Sequence, residues 1–326
     1  MPAAPITDRG DLAERRLRKV LKAQTVASSR TLEQKISDAG PSQMRINPHI
    51  LTEARQRLEA AGVIAFRKMG AMRWYHLADA TPSDVDKRLE LLVPIHAAMQ
   101  KADFGKRLGQ TLEIAIYRAL LAQPQLNTLG GFLDLDTHDD GQLYSKEEPP
   151  STISGRRCTG RLDFIVTTNT GLLAGIEVKN VREWMYPDRA DVRDLLKKCT
   201  TLDIVPVLIA RRIPYVTFKL LNATGAIIHQ TYNQLFPQAD AQLAGMVRDK
   251  NLLGYHDVRL GNEPDARLTK FTTRDLPLLV AAQRPVFDEY KDLLKAFSTG
   301  EMPYKEFAAR VRRRVNGTNE DADWDE

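Results

Sequence analysis

Residues 160–180, GRLDFIVTTNTGLLAGIEVKN, constrain the fold more than any other stretch of the chain. Two apolar runs, FIVTT and LLAGIEV, lie on either side of the turn-forming NTG. Short runs of this kind, bounded by a turn signal, predict a pair of adjacent antiparallel strands. Successive side chains on a strand point to opposite faces, so Glu177 and Lys179 project from the same face. The neighbouring strand then brings Asp163 beside them, and the 14 residues from Asp163 to Glu177 are what a hairpin of two short strands requires. A largely buried strand rarely carries two charges on one face without a reason, because burying a charge is costly. The alternative is an edge strand with a surface Glu/Lys pair.

Two carboxylates and an ammonium converging at one end of a sheet suit a divalent metal and a phosphodiester. Mg²⁺ takes oxygen ligands and is held through only one or two protein carboxylates. Such an ion lowers the pKa of a water nucleophile and neutralises charge on phosphate oxygens. In this reading Asp163 and Glu177 bind Mg²⁺ or Mn²⁺, and the backbone carbonyl of Val178 is a further ligand. Lys179 orients the water or stabilises charge in the transition state.

With these residues in this order, the chain resembles the PD-(D/E)xK nuclease superfamily, the restriction-endonuclease-like fold, from about residue 103 to 236. The helical stretch FGKRLGQTLEIAIYRALLAQ is followed by a strand-like GGFLDL, the Asp163 strand and the Glu177/Lys179 strand. A helix-like DVRDLLKKCTTL, the apolar VPVLIAR, a further helix and the strand-like GAIIHQTY complete the order. The resemblance implies an α/β fold, a mixed-sheet core flanked by helices. It implies a metal-dependent endonuclease that hydrolyses duplex DNA, in antiviral defence against foreign DNA or in repair. Double-strand cleavage would call for a homodimer, with one site per strand. Family members often carry another Glu on the first helix, and Glu113 matches in place, at the border of the stripe formed by Leu108, Leu112, Ala115, Ile116 and Ala119. A solvated helix Glu is the competing reading. Two departures stand out: Leu162 precedes Asp163 where the family name has proline, and the helix after Lys179 lacks a Gln-x-x-x-Tyr.

Ahead of this core, residues 1–101 hold 17 Lys and Arg against 11 Asp and Glu, while the whole chain of 326 residues carries a net charge of +5. The basic excess is modest and is compatible with a nucleic-acid partner. Three helical stretches come first: DLAERRLRKVLKAQ, TLEQKISDAG and PHILTEARQRLEAAG, the last with Asn47 and Pro48 as start signals and Gly62 as its stop. VIAFRKMGAMRWYHL then reads as a hairpin with Gly70 near its tip. Three helices and a hairpin resemble a winged helix over residues 1–81, followed by a helical linker over 82–102. In such a module the third helix enters the major groove and the wing meets the backbone or minor groove. Arg55 and Arg57 on the helix, and Arg67, Lys68 and Arg73 on the wing, are then the DNA contacts. Arg55 and Arg57 diverge by about 200° around a helix, so only one of them faces the groove squarely. Winged helices also serve in protein docking, and that reading stays open. Trp74 and Tyr75 are read as packing residues.

Residues 136–147 resemble a calcium-binding loop in the spacing of their acids and Gly141. EEPPSTISG follows, and it cannot supply the exit helix such a loop needs. The stretch is therefore read as a polar loop, with Arg156 and Arg157 at its end as candidate phosphate contacts. Residues 237–315 read as a helical extension broken at Pro285. Residues 316–326 form an acidic tail expected to be disordered, with five acids in its last seven residues, and Trp324 could engage a protein partner. No apolar run approaches the ~20 residues of a membrane span, and the N-terminus lacks the apolar core of a signal peptide. Cys158 and Cys199 lack metal-ligand spacing, so a cytoplasmic protein with reduced thiols is expected. Two further readings remain beside the endonuclease. In one, a DNA-binding or regulatory protein uses the nuclease-like fold as a scaffold. In the other, a nuclease subunit is activated by a partner complex through its N-terminal domain.

Overall fold

The computed structural model describes residues 9–38, 45–124, 126–137 and 140–319. The expected acidic terminus from residue 320 and His138 of the polar loop lie outside the described residues. The chain divides into two compact units, residues 9–105 with 240–258 and residues 106–239 with 259–319. The segment after residue 237 is thus shared between units.

In the first unit, α1 (Arg9–Gln24), β1 (Val26–Ser28), α2 (Ser29–Ile36), α3 (Pro48–Ala60), β2 (Ile64–Met69) and β3 (Met72–Leu77) follow in order. The start of α2 is fixed by Ser28, whose hydroxyl accepts from the Thr31 amide. Pro48 opens α3, where its missing N–H costs nothing. β2 and β3 pair from Ile64↔Leu77 to Met69↔Met72, and Gly70 turns the hairpin at a φ of +60°, which a glycine adopts without strain. β1 adds to β3 as a third antiparallel strand. Leu17, Leu21, Leu32, Leu51, Leu58 and Tyr75 fill one core between helices and sheet. Trp74 and Tyr75 are both buried, and the Trp74 ring meets His96 edge-on at 5.7 Å, so both are packing residues. The helix α4 (Pro82–Met99) completes this part.

The second unit opens on α5 (Ala102–Leu121). Then come β4 (Leu126–Leu129), β5 (Gly131–Phe132), β6 (Lys146–Glu147), β7 (Thr152–Ile153), β8 (Arg156–Arg157), β9 (Phe164–Thr168) and β10 (Leu173–Lys179). After these run α6 (Ala190–Leu202), β11 (Val205–Ala210), α7 (Tyr215–Asn222), β12 (Ile227–Gln230) and β13 (Gln234–Phe236). α8 (Ala241–Arg248) belongs to the first unit. β14 (Val258–Leu260), α9 (Ala266–Lys270), a π-turn (Phe271–Asp275), α10 (Leu276–Thr299) and α11 (Tyr304–Val315) close the described chain.

Five strands form one mixed sheet in the order β12-β11-β10-β9-β4. The β10–β11–β12 pairings are parallel, and the β10–β9–β4 pairings are antiparallel. Alternation explains how a sheet of this kind is covered on both faces. Val205, Val207 and Ile209 of β11 join Leu112, Ile116 of α5 and Phe271 in one core. Leu208 and Ala210 join Leu195 and Cys199 of α6, and Leu294 and Phe297 of α10, in the other. Gly175 is what allows α6 to close on β10: a Cβ there would lie 2.5 Å from Leu162 Cδ1 and 2.9 Å from Cys199 Sγ. Both cysteines are buried and free.

Two sequence expectations change. The outer strand of the sheet is LNTL, not GGFLDL, because Gly130 leaves the strand at a φ of +88° with Pro149 packed against it. The only strand inside GGFLDL is β5, which pairs with β6. The helix over 276–299 is not broken at Pro285 but continuous. Proline removes one internal hydrogen bond there. Val280 and Phe287, fully buried on either side of it, hold the helix against the sheet. No described helix is long and apolar enough to cross a membrane.

Candidate functional site

Asp163 sits one residue ahead of β9, Glu177 and Lys179 lie in β10, and Glu113 comes from the middle of α5. The structure brings all four to the same end of the sheet. Asp163 is the joint between them. The Asp163 amide donates to the Ile176 carbonyl (3.0 Å), which continues the β9–β10 pairing past its last regular pair. In return its Oδ2 accepts from the Val178 amide at 2.7 Å. The acid is thereby fixed against Val178, the residue whose carbonyl is the candidate third ligand.

Two lysines that the sequence reading passed over complete the cluster. Lys146 of β6 donates to Glu113 Oε2 (2.7 Å) and to Asp163 Oδ1 (3.2 Å). Lys198 of α6 places its Nζ 3.5 Å from Glu177 Oε2 and 2.6 Å from an Asp194 oxygen. Lys179 donates to Glu177 Oε1 at 2.7 Å and lies 4.0 Å from Asp191. Three carboxylates and three ammoniums therefore share one partly buried site, and Glu177 is only 6% exposed. Lys198 had a readable signal: it occupies the apolar stripe of α6, three residues after Leu195 and four before Leu202. Lys146 had none, because it comes from a two-residue strand in a loop.

Burial, reinforced by the neighbouring Asp163, pushes the Glu113 carboxyl up to about 7, with Lys146 and Lys179 opposing. Burial and Asp163 also raise Glu177, against Lys179 and Lys198. For the lysines burial works the other way, yet Glu177 holds Lys179 and Lys198 above the usual ammonium range, and Glu113 and Asp163 do the same for Lys146. Groups this close take up and release protons as a set. A cluster in which burial and specific charges displace several titrations is the pattern expected where chemistry is done.

Asn180, the next residue, anchors the end of β10. Its side-chain amide donates to the carbonyls of Leu108 (2.6 Å) and Leu235 (2.7 Å), and its Oδ1 accepts from the Leu235 amide (3.2 Å). These bonds tie the strand carrying Glu177 and Lys179 to the helix carrying Glu113. Sequence reading missed it, since a polar residue after a strand looks like the start of a loop.

Among the described residues, no three His, Cys, Asp or Glu side chains are grouped closely enough to hold a metal ion together. Two carboxylates and a backbone carbonyl suffice for Mg²⁺, which keeps several waters. The donors fit that ion in type, being oxygens only. One of them, Glu177 Oε2, is buried, accepts no hydrogen bond and faces the Lys198 ammonium at 3.5 Å, so it keeps acceptor capacity for a cation.

Five of the seven candidate nucleic-acid contacts are paired or stacked with their own neighbours. Arg55 lies over the Tyr75 ring at 5.0 Å and Arg73 over the Phe66 ring at 4.5 Å. Arg57 donates to Glu14 (2.8 Å), Arg67 pairs with Asp86, and Lys68 is exposed on β2. Arg156 pairs with Asp203, and Arg157 is exposed beside it on β8. Asp140 of the polar loop caps the turn at residue 238, accepting from the Gln238 and Ala239 amides.

Comparison with protein-family models, with curated proteins and with solved structures returns no match for this chain. The site is therefore read from its own chemistry.

Proposed function

We propose that the protein is a metal-dependent endonuclease that hydrolyses DNA phosphodiester bonds, with a restriction-endonuclease-like core. The observation that carries this reading is the meeting of Asp163 with Glu177 and Lys179 across adjacent antiparallel strands, with Glu113 joined to Asp163 through Lys146. The strand order, with the two acidic strands antiparallel at the centre and parallel strands beyond, agrees with that core.

Asp163 and Glu177, with the Val178 carbonyl, would hold Mg²⁺ or Mn²⁺. The ion would supply a more acidic water and neutralise charge on the phosphate. The residues of the chain do the rest. Asp163 is pinned by the Val178 amide, so one oxygen keeps its orientation while the other is shared. Lys179, anchored on Glu177, is placed to orient an attacking water and to offset charge growing on the phosphate. Lys198 and Asn180 keep that pair at a fixed place on the sheet. The three helices and three-stranded sheet of the first unit support a winged-helix role in binding duplex DNA, with Arg57, Arg67 and Lys68 as exchangeable partners of phosphate.

The test uses the purified full chain on supercoiled plasmid, linear duplex and single-stranded DNA, with Mg²⁺, Mn²⁺ or EDTA. Metal-dependent cutting lost in Glu177→Ala supports the proposal, and the preferred substrate defines its class. DNA binding without cutting on any substrate would favour a scaffold or a subunit that awaits a partner.

A further inference from the structure

The lysine between Glu113 and Asp163 is the cation of the cluster that joins a carboxylate of α5 to the one ahead of β9. Its ammonium bridges an oxygen of each, at 2.7 and 3.2 Å, and lies over the Phe164 ring, 5.7 Å from its centroid. The three lysines are anchored differently. Lys179 stands on a central strand paired on both sides, and Lys198 on a helix packed into the core. Lys146 stands on β6, whose two residues pair only with the two residues of β5, outside the five-stranded sheet. It can leave without breaking any strand pairing that holds the acids.

We infer that Lys146 is a displaceable counter-ion: its ammonium stands where a divalent cation would bind beside Asp163, and loading of the site moves it out. The inference rests on the proposed role of Asp163 as a metal ligand. Its chemistry follows from charge. Asp163 repels the carboxylates of both Glu113 and Glu177, and a positive charge beside it relieves that repulsion. A lysine supplies the charge as a single point on a flexible stem and can be outcompeted by an ion of charge two. The departing ammonium remains tethered at the mouth of the site, where an anionic phosphodiester would meet it. Lys146 is thus a positioning residue that keeps the acids ordered before loading.

Substitution separates this role from a merely structural one. Arginine keeps the charge but grips carboxylates through a bidentate fork, so it should yield less readily. Methionine keeps the stem and removes the competitor. Mn²⁺ binding to the full chain would be measured by titration calorimetry for wild type, Lys146→Met, Lys146→Arg and Asp163→Asn. Folding would be checked by circular dichroism. Lys146→Met should bind Mn²⁺ on the order of tenfold more tightly than wild type, as expected when one competing buried ion pair is removed. Lys146→Arg should bind more weakly, and Asp163→Asn should not bind. The metal-induced rise in Tm should follow the same order, which keeps the comparison usable if Lys146→Met lowers the metal-free Tm. Equal Mn²⁺ affinity in wild type, Met and Arg variants, with Asp163→Asn still inactive in binding, overturns the counter-ion role and leaves the metal site standing. Absence of Mn²⁺ binding in every protein overturns the inference together with the metal site beneath it.

Discussion

Lys146, Lys179 and Lys198 in the second unit, and Arg55, Arg57, Arg67 and Arg73 in the first, carry the same charge into opposite settings. The lysines are half-buried to buried and answer three carboxylates in one cluster. The arginines are half-buried or exposed, and each is paired or stacked with a different neighbour. Exposed ion pairs contribute about 0–1 kcal/mol each, because water screens them and ordering long side chains is costly. Exchanging such a partner for a phosphate therefore costs little, which suits a binding surface. Buried charges are costly unless every one is answered. A fold that keeps six of them together depends on each one being answered.

That contrast can be broken by single substitutions at four positions and one double variant. The largest effect on stability is expected at Lys198, whose side chain is only 8% exposed. Lys198→Met leaves Glu177 facing Asp163 with one cation fewer and should lower the unfolding free energy on the order of 3 kcal/mol in urea melts. A loss below about 0.5 kcal/mol, the size of an ordinary surface change, would place it with the surface arginines. The double variant Glu177→Leu with Lys198→Met should recover much of the loss, as a coupled pair does.

His229 gives an effect of nearly that size through pH. Its ring stacks on Phe271 at 4.0 Å, and burial lowers its pKa to about 4, against a weaker opposing pull from Asp265 and Asp275. The unfolded chain, with an ordinary histidine, binds a proton through the window from 6.5 down to 4, while the folded chain does not. Stability due to the neutral ring is therefore fully present above pH 6.5 and falls as pH drops toward 4, by roughly 3 kcal/mol. Glu113, raised to about 7, gains stability over the same window as pH falls and opposes this loss. The His229 contribution is therefore read as the difference between wild type and His229→Phe in the change of urea-melt stability from pH 7 to pH 4.5. Equal changes in the two proteins would remove His229 from the account.

Gly175→Ala should cost about 1–3 kcal/mol, as overpacking does. Its Cβ meets the ends of Leu162, Cys199 and Ile204 within 3 Å, and the contact with Cys199 presses on α6. Lys198 would move with that helix, so cleavage should fall along with stability; unchanged activity would show that the α6–β10 spacing does not set the site. The smallest effect on folding is expected from Arg57→Ala, under about 1 kcal/mol. It should nonetheless lower the slope of log affinity for duplex DNA against log salt by about one, the mark of a lost phosphate contact. An unchanged slope would turn the first unit toward protein docking.

The legible part of this molecule is the part built from neighbours in sequence. Asp163, Glu177 and Lys179 were readable because a period of two and one turn place them, with no distant partner needed. Glu113 was readable as a position on a helical stripe, but only the fold shows that it faces Asp163. Lys146 and Asn180 were not, because their roles depend on contacts spanning 17 and 72 residues, and Lys198 showed only its place on the α6 stripe, its partner Glu177 lying 21 residues away. The strand LNTL was displaced in the reading by the more apolar GGFLDL, since a kink at Gly130 leaves no periodic trace. Pro285 misled for the opposite reason: a local rule about helix breaking was overridden by burial on both sides of it.

The most direct measurement is nicking of supercoiled plasmid by wild type and Lys179→Ala, in Mn²⁺ and in EDTA, with both proteins shown to be folded. Metal-dependent nicking in the wild type, reduced about a hundred- to a thousandfold in Lys179→Ala as for loss of one preorganised charge, is the predicted result. Nicking that is undiminished in Lys179→Ala would contradict the assignment of the site.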